Sequence, residues 1–342
     1  MVVGIDMNII GKKILVIGGG GLIGSHVVEE LLKEDVKKVI IFDNFCRGTY
    51  ENLQNSLADP RCSIFEIGGD ILQTDILDAA MKDVNGVVHL AALWLRQCYE
   101  YPKAAFDVNI RGTFNVLEAC VANNVERLVY SSSASVYGDA VEEPMTENHP
   151  YNNWTFYGAT KIAGEHMFKA YHKRYGLNGV GLRYMNVYGP RQDYKGTYIA
   201  VMMKILDNID NGRSPVVYGD GSQAYDFIYV GDTARANLCA LKSKMTYGFY
   251  NVGRGIKTSI KELTQMILKI TGSEELPIRY EPAGQTFVTN RIGDPVAAQR
   301  DLGFKWTVDL ENGLKRLIQW RNSHMEEVEM KKRKAGNTMQ ES

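Results

Sequence analysis

The chain has 342 residues, with 39 basic and 40 acidic side chains and a formal net charge of −1. That length suits two domains or one large fold, and the balanced charge gives no global attraction to nucleic acid or an anionic membrane. No apolar run approaches the roughly 20 residues that cross a bilayer, the first residues lack the order of a secretory signal, and the five cysteines are scattered. A cytoplasmic protein with reduced thiols, no bound metal and no membrane or nucleic-acid partner is therefore expected.

In chain order, KILVIGG from Lys13 reads as a strand, and HVVEELLKE from His26 as a helix with Val27, Val28, Leu31 and Leu32 on one broad face. VIIFD ending at Asp43, SIFEIGGD ending at Asp70, GVVHLAA from Gly86, RLVYSSS from Arg127 and VGLRYMNVYG from Val180 continue the strands. Helical patterns lie between them, notably FDVNIRGTFNVLEACVANN from Phe106 and TKIAGEHMFKAYHKRYG from Thr160. Apolar strands without polar alternation, separated by helices, predict an α/β protein with a doubly wound parallel sheet covered on both faces. After Tyr188 the pattern changes to a polar loop, GPRQDYKG, and then shorter strands and helices. We therefore place the first domain mainly in residues 1–184 and a smaller α/β domain mainly in 185–322, with segments after residue 225 able to return to the first. Residues 323–342 carry mixed charge and little that packs, and are expected to form a flexible tail with a solvated KKRK cluster.

The strongest local signal is GGGGLIG between the first strand and the first helix. Gly18 suits the tight turn, Gly21 admits a pyrophosphate close to the backbone, and Gly24 lets helix and strand approach, while the first amides of the helix face the diphosphate. Asp43 closes the next strand, where a carboxylate accepts bonds from an adenine-side ribose and repels a 2′-phosphate. This order points to NAD, with nearby Arg47 leaving NADP open. Asp70 is placed to accept the adenine amino group and Ile71 to pack the base; strand termination is the simpler role for Asp70.

SSSASVYG is followed by Tyr157, which opens a YGATK segment ending at Lys161. The Tyr-x-x-x-Lys spacing puts both side chains on one side of a helix. A lysine ammonium favours the phenolate, the phenol can exchange a proton with a sugar hydroxyl, and Ser133 can orient that hydroxyl.

With these motifs in place, the sequence resembles the extended short-chain dehydrogenase/reductase family, particularly its NAD-dependent nucleotide-sugar epimerases. The resemblance also rests on HLAA at His89, Asn109 in NIRGT, LRYMNVYGPRQ, GDGSQAYDFIYVGD and YNVG at Tyr250. It implies a Rossmann domain with a smaller C-terminal nucleotide-sugar domain, a tightly held NAD, a UDP-sugar substrate and a homodimer formed by the helices beginning near Phe106 and Thr160. Carried onto this chain, it puts Gly18, Gly21, Leu22, Ile23, Asp43, Asn44, Asp70 and Ile71 at the cofactor. Leu90, Ala91, Ala92, Asn109, Tyr157, Lys161 and Tyr184 join them, Asn109 chiefly by positioning its neighbours. Ser133, Tyr157 and Lys161 become the catalytic set. Asn186 and Arg291 are assigned to the substrate diphosphate and Asp294 to its ribose.

Departures from the family patterns bear on the reaction. Ala134-Ser135 follows Ser133 where 4,6-dehydratases carry an aspartate-glutamate pair, Ser135 occupies the glutamate position of UDP-glucuronate decarboxylases, and the cysteine of the keto-sugar reductases is missing. By this resemblance and elimination the expected reaction is 4-epimerisation of a UDP-hexose or UDP-N-acetylhexosamine through a transient 4-keto sugar; a dehydratase, reductase or decarboxylase is the alternative. Tyr225 stands before Asp226 where many relatives have a phosphate-binding arginine; as a substrate-binding candidate it can bond to a phosphate or stack on a base but cannot replace a bidentate cation. The loop after HLAA introduces Trp94 and Arg96. Arg96 is the candidate to restore that charge or to bind an acidic sugar. The family's position limiting the space beside the sugar C2 substituent falls on Ala298, whose small side chain suggests room for an N-acetyl group.

Overall fold

In a computed structural model, residues 7–194, 200–283 and 288–340 are described. Thirteen strands appear among them. β1 (Lys13–Ile17), β2 (Lys38–Phe42), β3 (Cys62–Ile64), β4 (Gly86–His89), β5 (Arg127–Ser133) and β6 (Gly179–Tyr184) come first. β7 (Asn186–Tyr188), β8 (Val216–Tyr218), β9 (Ala224–Tyr229), β10 (Phe249–Val252), β11 (Lys257–Ser259), β12 (Arg279–Glu281) and β13 (Asn290–Arg291) follow. The principal helices are α1 (Leu22–Leu32), α2 (Thr74–Met81), α3 (Thr113–Ala122), α4 (Phe156–Tyr175), α5 (Ala200–Asp210) and α6 (Val230–Lys242). α7 (Ile260–Thr271), α8 (Val296–Leu302), α9 (Leu310–Ser323) and α10 (Met325–Gln340) complete them.

The main sheet has seven parallel strands in the order β10-β6-β5-β4-β1-β2-β3. Most of its strand residues are apolar because each face meets helices. Leu15, Ile17, Phe42, Val87 and Leu128 pack toward Leu77 and Met81 of α2, Val116 and Leu117 of α3, and Phe168 of α4. The alternate residues Ile14, Val16, Ile41, Val88 and Val129 pack toward Val27, Val28 and Leu31 of α1 and Ala236, Ala240 and Leu241 of α6. One-residue alternation thus feeds two buried layers, as the pleat requires. Burial of this order is worth roughly 1.5–3 kcal/mol for each large aliphatic side chain.

Three elements differ from their sequence-based assignment. The strand expected over SIFEIGGD is confined to Cys62–Ile64, starting one residue earlier and ending before the turn at Glu66 and Ile67. VGLRYMNVYG divides at Met185: β6 stays in the main sheet, whereas β7 pairs in parallel with β9 in a second sheet that also contains β11 and β13. The tail expected to fray instead forms α10, with Val328 and Lys331 buried. Mixed charge did not prevent burial there, because Lys331 finds acceptors on other elements. β10 also returns from the later part of the chain to the edge of the main sheet.

Candidate active site

A cleft of about 340 Å³ crosses the C-terminal ends of the main-sheet strands, where open α/β sheets bind ligands. At one end lies the glycine turn. Gly18 has φ of +82°, and a Cβ there would approach the Ala91 nitrogen to 2.8 Å. A Cβ on Gly24 would meet the Gly18 carbonyl oxygen at 2.1 Å, so helix and strand can meet only through glycine. α1 begins at Gly21 with no side-chain cap, and Gly21, Leu22 and Ile23 line the cleft. The Leu22 and Ile23 amides of this uncapped first turn fit a diphosphate. Asp43, Asn44, Asp70, Ile71, Leu90, Ala91 and Ala92 also line the cleft.

Both Asp43 carboxylate oxygens already organise the turn, accepting from the Gly20 amide at 2.8 Å and the Phe45 amide at 2.8 Å. Burial raises the Asp43 pKa, while these two amides oppose that shift. Arg47 is not turned toward this adenosine end. It binds Asp193 through Nε (2.7 Å) and Nη2 (3.1 Å), with its guanidinium carbon 4.3 Å from the centre of the Trp94 ring. The residue that left NADP open in the sequence is thus engaged elsewhere, against the wall of the cleft.

At the other end, β5 delivers Ser133 and the first turn of α4 delivers Tyr157. Thr155 caps α4 by accepting from the Gly158 amide at 3.0 Å, which fixes where Tyr157 emerges. Lys161, one turn later, is buried; its Nζ donates to the Ser131 carbonyl at 2.6 Å and lies 5.8 Å from the Tyr157 ring centre. Burial lowers the Lys161 pKa to about 8. Burial also raises the Tyr157 phenol to about 12, against the opposing effects of Ser133, Arg47 and Arg291. Desolvation therefore outweighs the cationic stabilisation expected for the phenol. Ser133, Tyr157, Lys161, Tyr184, Asn186 and Arg291 share this end of the cleft. The Asn186 amide nitrogen is buried without a hydrogen-bond partner, and Arg291 Nη1 lies 3.4 Å from Ser135 Oγ.

Other candidates lie elsewhere. Asn109 is buried behind the lining, accepting from the Leu93 amide at 2.7 Å and donating to Leu93 O and Thr160 Oγ1, so it braces the loop after β4 against α4. Arg96 pairs with Glu100 along an exposed helical face and is absent from the cleft lining; the i,i+4 partner in its own helix turns it away. Tyr225 is buried and donates to the Val288 carbonyl at 2.8 Å, because β9 is central to the second sheet. Asp294 accepts from the Val296 amide at 3.0 Å at the start of α8 and does not line the cleft. Ala298 is fully buried in the core beneath α8, so the room for an N-acetyl group inferred from its size is not at the cleft.

Sequence reading overlooked the buried pair that aligns this end. Glu165 of α4 and Arg183 of β6 meet at 2.7 Å with side chains 2% and 4% exposed. Glu165 also accepts from Ser132 at 2.6 Å and Tyr151 at 2.9 Å, and Arg183 donates to the Tyr137 hydroxyl at 2.7 Å. The helix carrying Tyr157 and Lys161 is thereby tied to the strand carrying Ser133. An arginine amid the apolar strand GVGLRY was the legible signal.

A dinucleotide turn at one end of a cleft and a buried phenol-lysine couple at the other define a Rossmann-fold, dinucleotide-dependent enzyme with an acid/base group at its reacting end. The profile of the NAD dependent epimerase/dehydratase family matches residues 14–253, and the chain belongs to this family of NAD-dependent enzymes. A putative UDP-glucose 4-epimerase of Methanocaldococcus jannaschii is 38% identical over 311 residues, covering 90% of this chain and 97% of that protein. A UDP-N-acetylglucosamine 4-epimerase from Methanobrevibacter ruminantium, solved with UDP-N-acetylmuramic acid, superposes with a TM-score of 0.86 at 35% identity, covering 92% of this chain and all of that one. A dTDP-glucose 4,6-dehydratase from Streptomyces venezuelae, solved with NAD, gives a TM-score of 0.85 at 28% identity, covering 93% and 99%. NAD is the cofactor of this chain, and the uncapped turn of α1 with Asp43 beside it fits that molecule. Among the described residues, no helix is long and apolar enough to cross a membrane and no group of metal-ligating side chains is present.

Proposed function

We propose that this protein interconverts C4 epimers of a UDP-hexose or UDP-N-acetylhexosamine. A nucleotide-sugar reaction through a 4-keto intermediate is the common ground of its relatives, which include epimerases and dehydratases. The observation favouring epimerisation is the placement of carboxylates. Asp43 and Asp70 are the acidic residues lining the cleft, and both belong to the dinucleotide end. Beside Tyr157 stand Ser133 and Ser135, and among the described residues no carboxylic acid lines that end of the cleft to protonate a departing hydroxyl. Elimination lacks its acid there, whereas epimerisation needs a single acid/base group.

In this reading Ser133 holds the C4 hydroxyl and Tyr157 takes its proton. Bound NAD, which Gly18, Gly21 and Asp43 would hold, would supply the hydride chemistry at C4, and the keto sugar turns in the pocket between the two half-reactions. Tyr157 then gives the proton back, so no atom is gained or lost overall. Lys161 supplies positive charge beside the phenol, and its bond to Ser131 keeps the ammonium from rotating away. Arg291 and the unpaired Asn186 amide are assigned to the diphosphate, for which directional donors are required. The proposal retains the homodimer, through α4 and the helical segment from Phe106; Phe106 and Phe114 are exposed on that side.

Purified protein incubated with UDP-glucose, UDP-galactose and their N-acetylated counterparts should yield the C4 epimer of at least one, with no net NADH and no added reductant. Chromatography followed by proton NMR identifies the product. A 4-keto-6-deoxy sugar, loss of CO₂ or stoichiometric NADH consumption would replace epimerisation with another reaction of the family.

A further inference from the structure

The nucleotide turn is braced from the far end of the chain. Gly20 lies between β1 and α1, and both polar groups of its backbone are held. Its N–H donates to Asp43 Oδ2 at 2.8 Å; its carbonyl accepts from Asn52 Nδ2 at 2.8 Å and the Thr49 amide at 3.1 Å. Asn52 is 4% exposed. Its side-chain amide can present either nitrogen or oxygen to Gly20, and only the nitrogen-inward orientation donates to that carbonyl. The Gly20 carbonyl, which can only accept, selects that orientation from inside, and Lys331 Nζ, donating to Asn52 Oδ1 at 3.3 Å, holds it from outside. An ammonium has donors and no acceptor, so it cannot pair with the flipped amide.

Lys331 belongs to α10, beyond the residues matched by the family profile. It is 5% exposed, a costly place for an ammonium unless its donors are satisfied. Besides Asn52 it donates to the Arg191 carbonyl at 3.0 Å and faces the Glu327 carboxylate at 2.6 Å. Arg191 follows β7 and pairs with Glu29 of α1. Lys332, the next residue, pairs with Asp207 and keeps a side chain 39% exposed, so the two neighbouring lysines occupy different environments. A terminal helix that only covered apolar surface would not need a buried lysine aimed at Asn52.

We propose that Lys331 is a positioning residue for bound NAD, acting through the Asn52 side chain on the Gly20 peptide. By fixing that peptide it fixes the turn that aims the first amides of α1 into the cleft. The proposal rests on NAD being the cofactor and is independent of which sugar reaction follows.

The test uses the full-length holoenzyme and reads the rate at which NAD leaves, by trapping released NAD with a coupled dehydrogenase. Lys331→Met and Asn52→Ala should each release NAD about tenfold faster than wild type, the loss of one charge-assisted contact. The double variant should be no faster than the faster single one, because both act on the same peptide. Lys332→Met should match wild type. A folded Lys331→Met protein that releases NAD at the wild-type rate overturns the proposal, even if its melting temperature falls, since the lysine would then only fasten α10. Where Lys331→Met cannot be purified folded, Asn52→Ala decides, because it leaves the contacts of Lys331 with Glu327 and Arg191 intact; wild-type release there also overturns it.

Discussion

Replacing Tyr157 with phenylalanine is expected to reduce turnover by about 10²–10⁴-fold, the usual contribution of a positioned acid/base, while the fold and bound NAD persist. The ring keeps its place in the first turn of α4, which depends on the Thr155 cap and not on the hydroxyl. Only the proton carrier is lost. The pH profile gives an independent reading. With Lys161 lowered to about 8 and Tyr157 raised to about 12, the couple sheds its first proton near pH 8. The reactive form, phenolate beside ammonium, is a tautomer of that singly deprotonated couple. Wild-type kcat/KM should therefore rise with pH below about 8 and level off above it, and Tyr157→Phe should lack that rise. Near-wild-type turnover in the variant, or a wild-type rate that falls as pH rises toward 8, would remove Tyr157 from the chemistry.

The second large effect is on stability. Glu165→Leu should cost about 3–5 kcal/mol, because it strands the Arg183 guanidinium in a site from which water is excluded. Arg183→Met should cost a similar amount by stranding the carboxylate. The double variant should recover much of the loss, since the remaining charge and most of its desolvation cost disappear together. Denaturant unfolding of the two single variants and the double variant measures this directly. A loss below about 1 kcal/mol in both single variants would place the pair among weakly coupled surface ion pairs. The folded fraction of each single variant should also show lower activity, because the pair ties α4 to β5 and β6. Ser133 and Tyr157 depend on that alignment.

Much of the first lobe was legible in the sequence. Continuous apolar strands, the Gly18-x-x-Gly21-x-x-Gly24 turn and Asp43 after the second strand specify a parallel sheet with a dinucleotide turn through local backbone and burial rules. Tyr157 and Lys161 were legible for the same reason, since helical spacing alone puts them on one side. Where the signal was a residue type matched to a family position, tertiary structure decided. Arg96, Tyr225, Asp294 and Ala298 have suitable chemistry or size, but an i,i+4 partner, a central strand, a helix start and a packed core take them elsewhere. Arg47 was read for the adenosine ribose and lies against Trp94 with Asp193, far along the chain, as its partner. The tail looked too polar to pack, yet Lys331 is buried because Asn52 and Arg191 supply acceptors from distant segments. Sequence periodicity reports what one segment can bury by itself. Whether a charged side chain can be buried depends on partners that only the folded chain brings within reach.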